Sequence, residues 1–129
     1  MTAKNPDALR ATLSAAAESV RAANHQTLGG NGTPGLEFPS DVYDAIGNLK
    51  VLAERMPQLL HQLSLWLGEQ NAAGKVGHDS RDDPGPFVAR VRDALDTAEL
   101  LSGDLAGALR AAQNESTGLC AARPVLRDI

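Results

Sequence analysis

The stretch DVYDAIGNLKVLAERMPQLLHQLSLWL, Asp41 to Leu67, decides the fold. Val42, Ile46, Leu49, Ala53, Met56, Leu60, Leu63 and Leu67 recur at alternating spacings of four and three, the rhythm of a helix with one apolar seam. A second column, Ala45, Leu52, Leu59 and Trp66, runs beside that seam. The combined face is wider than a two-stranded coiled coil uses and suits a helix packed between two neighbours. Asp44, Asn48, Lys50, Glu54, Arg55, Gln58, His61 and Gln62 make the opposite, polar face. Ser40 or Asp41 is placed to cap the start, and Gly68 is placed to stop the helix. Pro57 deletes the hydrogen bond to the Ala53 carbonyl, at a typical cost of ~3 kcal/mol. The apolar phase nevertheless runs through it unbroken, which predicts one kinked helix rather than two.

Working outward, Asn5-Pro6-Asp7 combines a capping side chain, a proline at the first helical position and an acid in the first turn. It opens a helix to about Gln26 whose face, Leu9, Leu13, Ala16, Val20 and Ala23, is thin and Ala-rich. Residues 27–39, TLGGNGTPGLEFP, are a Gly/Pro linker in which Leu36 and Phe38 alone are suited to anchor on a core. Residues 68–85 lack periodicity and are long for a connection between packed helices. A third helix, about 86–114, carries Val88, Val91, Leu95, Ala98, Ser102, Leu105, Leu109 and Ala112, flanked by Phe87, Ala94, Leu101 and Ala108. Arg92 and Asp96 are spaced for an i, i+4 ion pair. The tail, 115–129, holds Leu119, Val125, Leu126 and Ile129.

The chain therefore reads as one all-α domain over residues 1–129. The expected architecture is a three-helix bundle built on a long antiparallel hairpin, its two helices each ~40 Å long. Only four residues are aromatic, so the core must come from Leu, Val and Ala, which favours close-packed helices. Two thin faces make a marginal monomer. Val51 and Leu65, on the nominally polar side of the central helix, add spare apolar surface. A dimer is expected, as a six-helix assembly.

Composition narrows the function. A net charge of −4 with scattered basic residues disfavours nucleic-acid and anionic-membrane binding. A single cysteine, Cys120, excludes an internal disulfide framework and suits a reducing cytoplasm, and no apolar run approaches the ~18 residues of a span. The expected location is cytoplasmic. Arginine outnumbers lysine nine to three amid abundant Ala and Gly, a composition resembling that of high-GC, actinobacterial-like genomes.

No motif carries chemistry. The loop His78-Asp79-Ser80-Arg81-Asp82-Asp83 offers an imidazole and three carboxylates, but the acids miss the alternating positions of an EF-hand, and a polar loop with helix-start acids accounts for them. His25 suits a helix C-terminus, and neither it nor His61 has a ligating partner at i+3 or i+4. Cys120 has no activating neighbour in sequence, and Ser40, Ser102 and Ser116 lie in no nucleophile pattern. Gly29-Gly30-Asn31-Gly32 follows no strand and precedes no Gly-Lys-Ser/Thr. Arg90, Arg92 and Arg110 are interleaved with Asp93, Asp96, Glu99 and Asp104, which cancels a basic stripe. No catalytic, cofactor or metal site is expected.

Trp66-Leu67-Gly68, between two long helices, resembles the tripeptide of the WXG100 family of small secreted helical hairpins. That resemblance implies the tripeptide at the hairpin turn and export from the cell. The chain departs from the family in its extra N-terminal helix, its long loop after Gly68 and the absence of a Tyr-x-x-x-Asp/Glu signal after the second hairpin helix. Without the resemblance, Trp66 would cap the end of the core. The reading that fits best is a non-enzymatic protein acting through protein–protein contact, by self-association or with another protein as a subunit or regulator of a larger assembly. Its expected contacts are Val51, Leu65, Trp66, Leu119, Val125, Leu126 and Ile129. A small-ligand-binding bundle using the His61 side or the 68–85 loop is a further alternative.

Overall fold

The computed structural model describes residues 5–29 and 35–122. Three helices account for most of them: α1 (Pro6–Gln26), α2 (Pro39–Ala72) and α3 (Gly85–Ser116), with no strand among the described residues. The chain divides into two compact units, one comprising residues up to Asp41 together with those from Cys120, the other Val42–Leu119.

In the first unit, Asn5 Oδ1 accepts the Ala8 N–H at 3.1 Å, and Pro6 follows at the first helical position. None of the residues of α1 is buried. Leu36 and Phe38 are likewise exposed. The start of α2 is fixed by Asp41, whose Oδ2 accepts the N–H groups of Phe38 and Glu37, both at 2.8 Å. A carboxylate in the first turn thus reaches back over the helix start and satisfies donors that have no helical acceptor. These two bonds, Phe38's the larger, hold the Asp41 carboxyl below its ordinary value.

In the second unit α2 passes through Pro57 as one helix and also continues through Gly68 to Ala72. Gly68 is not the stop because its own backbone needs no left-handed turn there. Gly74 does adopt one, with φ +72°. Around it Lys75 N–H bonds the Gln70 carbonyl at 2.9 Å and Gly74 N–H bonds that of Asn71 at 3.0 Å. That pair of bonds is a Schellman closure, which glycine makes without a Cβ penalty. At the other side of the connection Asp83 Oδ1 accepts the Gly85 N–H at 3.0 Å and secures the start of α3.

α2 and α3 pack against each other antiparallel. Gly47 lies beneath Gln113, Arg110 reaches Glu54 at 3.3 Å, His61 faces Glu99 at 3.7 Å, and Arg92 Nε donates to Ser64 Oγ at 3.2 Å. The expected local pair of Arg92 with Asp96 is not among the ion pairs of the described residues. Arg92 instead turns into the interface, where a hydroxyl acceptor on the facing helix replaces a solvated carboxylate.

Candidate interaction face

The interface between α2 and α3 uses one expected column of each seam and replaces the other. On α2 the column Ile46, Ala53, Leu60 and Leu67 is buried or half-buried, as expected. Its companion is not Val42, Leu49, Met56 and Leu63. The half-buried or buried companions are Tyr43, Lys50, Pro57, Ser64 and Asn71, one position further round. On α3 the column Val88, Leu95, Ser102, Leu109 and Ser116 faces inward, and its companions include Glu99, Ala106 and Gln113 rather than Val91 and Leu105.

Small side chains explain the rotation. The most enclosed residues are Ala53 at 1% and Ser64 at 3% exposure on α2, and Ala106 at 6% and Ser102 at 7% on α3. Small residues let two helix backbones approach closely, which a column of leucines would prevent. The buried hydroxyls cost little because each has a partner. Ser102 Oγ donates to the Ala98 carbonyl and Ser116 Oγ to that of Gln113, both at 2.8 Å, while Ser64 Oγ accepts from Arg92. Among the described residues no buried side-chain polar atom lacks a partner.

The consequence is an uncovered apolar side. Val42, Leu49, Met56 and Leu63 on α2, and Val91 and Leu105 on α3, are all exposed, by 37% to 49%. The flanking columns add Leu52, Leu101 and Trp66, the last at 61%. In both helices the aliphatic column follows the buried one by three residues and the second interface column follows it by four. Two antiparallel helices with the same order, each turning its buried columns to the other, are related by a pseudo-two-fold normal to the hairpin plane. The operation leaves each side of the hairpin on its own side. The aliphatic columns of α2 and α3 therefore share one side, and the contacts Glu54–Arg110 and His61–Glu99 occupy the other.

This geometry sorts the residues singled out from the sequence. Trp66 stands on the apolar side, inside α2 rather than at the turn the WXG100 resemblance implies, and its exposure rules out a cap on the core. Val51 and Leu65 are exposed at 37% and 46% but lie on the polar side among Asp44, Glu54, Gln58 and His61. Single exposed aliphatics of this kind are common on protein surfaces. Leu119 is exposed. Val125, Leu126 and Ile129 lie outside the described residues.

The polar groups weighed for chemistry are dispersed. Within the 73–84 connection His78 Nδ1 approaches Ser80 Oγ at 2.6 Å and Asp79 Oδ1 at 3.2 Å, Ser80 Oγ bonds Asp82 Oδ2 at 2.9 Å, and the imidazole stacks on Phe87 at 3.8 Å. Arg90 lies over the same ring, 4.7 Å from its centre. The cluster closes the loop on itself. Among the described residues no three His, Cys, Asp or Glu side chains converge as metal ligands, and no helix is long and apolar enough to cross a membrane. A hollow of about 330 Å³ beside Glu18, Arg21, Ala22 and His25 has these α1 residues as its lining. Arg21 there is already paired with Glu18 at 3.3 Å. Cys120 is an exposed free thiol. Comparison with known protein families, curated proteins and solved structures gives no match.

Proposed function

We propose that this protein is a non-enzymatic interaction module whose working surface is the apolar side of the α2–α3 hairpin. One observation carries the reading: both helices leave their aliphatic columns exposed on the same side while pairing through alanines and serines. Ala53, Val88 and Ala106 are the buried apolar residues of the described chain. So thin a core offsets little of the ordering cost of ~1–2 kcal/mol per residue, even with its half-buried leucines. A contiguous apolar surface of this extent marks an interaction site rather than a solvated face. The assembled state is accordingly a helical bundle, formed by self-association or as a subunit of a larger assembly, with α2 bent at Pro57 to follow its neighbours.

Met56 provides the test, since it sits in the middle of the apolar side and reacts with peroxide when accessible. Its oxidation, read by mass spectrometry, should be slower for the protein in extract of its own cells than for the isolated chain at high dilution. Equal rates in the two samples would contradict the proposal.

A further inference from the structure

We infer that the occupant of this face is a second copy of the same chain, stacked face to face about a two-fold axis parallel to the helices, an inference that rests on the interaction reading above. The charges on the two outer edges of the apolar side carry it. Arg55 and Glu69 stand on the α2 edge, Arg90 and Asp104 on the α3 edge, each at the same position of its helical repeat. None of the four is in an ion pair among the described residues, so each is open to a charge supplied from outside the hairpin.

The contacts His61–Glu99 and Gly47–Gln113 fix the level of one helix against the other. In that register Arg55 is level with Asp104 and Glu69 with Arg90. A two-fold axis along the helices brings the α2 edge of one copy against the α3 edge of the other without changing level. Every edge charge then meets its opposite: Arg55 the partner copy's Asp104, and Glu69 the partner copy's Arg90. Because the interface is isologous, each pair forms twice. Side-chain volumes agree with this arrangement. Trp66 comes level with Ala94, Leu63 with Ala98 and Leu49 with Ala112, so three large residues of α2 meet alanines of the opposing α3, while Met56 comes level with Leu105.

A second symmetric arrangement, with the axis perpendicular to the helices, would pair Arg55 with the partner copy's Glu69. That arrangement slides the hairpins apart and leaves Val42 and Leu49 uncovered. The parallel axis covers both columns along their length and is the one we assign.

The test is a charge exchange in the full-length chain, followed by sedimentation equilibrium over a range of concentrations. The unmodified chain should show a two-chain mass. Arg55→Glu should raise the dissociation constant about tenfold, since it reverses two edge pairs, and the double variant R55E/D104R should restore the unmodified value. All these positions are exposed, so circular dichroism should show unchanged helix content. Rescue by R55E/E69R instead would overturn the parallel axis. A single-chain mass at high concentration would overturn self-association altogether, and if Met56 were still protected in extract the interaction face would stand with a different occupant.

Discussion

At the scale of single residues, Asp41 shows how much a short motif can decide. Phe38-Pro39-Ser40-Asp41 announces a helix start, and the structure gives that role to the acid rather than to Ser40. Two backbone donors favour the charged carboxylate, so its folded pKa lies below the unfolded one. A depressed folded value means that the stabilisation is complete above the unfolded pKa and is lost as pH falls through the folded one. A carbon-detected titration of Asp41 should give a midpoint below that of an unstructured aspartate, and Asp41→Ala should remove the acid-side loss of helix at the start of α2. Arg92 is the contrasting case. Its spacing to Asp96 satisfies a local rule, but a partner on another helix, Ser64, wins, and no pattern within α3 could show that competition.

At the scale of elements, the helices were legible and their ends less so. The 3–4 rhythm marks α2 and α3 because apolar periodicity survives Pro57 and the glycines. Gly68 misled because a helix-ending glycine needs a left-handed turn, and the chain makes that turn at Gly74. Gly103 and Gly107 sit mid-helix with nothing near a would-be Cβ, and neither belongs to the aliphatic columns. Gly103→Ala should therefore stabilise the chain by about 0.5–1 kcal/mol in denaturant unfolding, through reduced backbone entropy of the unfolded state, without altering association. Pro57→Ala restores the bond to the Ala53 carbonyl and should stabilise by about 1–3 kcal/mol. A loss of stability would show that the proline ring's contact in the interface outweighs the missing bond.

At the scale of the whole molecule, the sequence exposed two apolar columns per helix but not which of them faces the hairpin partner. Both choices satisfy a heptad reading. The deciding signal was the small residues, Ala53, Ser64, Ser102 and Ala106, whose value lies in the close approach they allow rather than in their own hydrophobicity. Read by hydropathy alone they look like weak points of a seam, and Ser102 most of all. Val51 and Leu65 interrupt a polar face, yet the larger apolar surface is made by the columns that a heptad pattern points toward the core. Leu63 and Leu65 distinguish the two sides of the hairpin. They are two residues apart, similarly exposed at 38% and 46%, and on opposite sides of the hairpin. The most direct measurement is the oxidation rate of Met56 in cell extract for Leu63→Lys and Leu65→Lys. Leu63→Lys should abolish the protection of Met56, and Leu65→Lys should leave it as in the unmodified chain. Protection lost in Leu65→Lys and kept in Leu63→Lys would place the working surface on the other side and contradict the account.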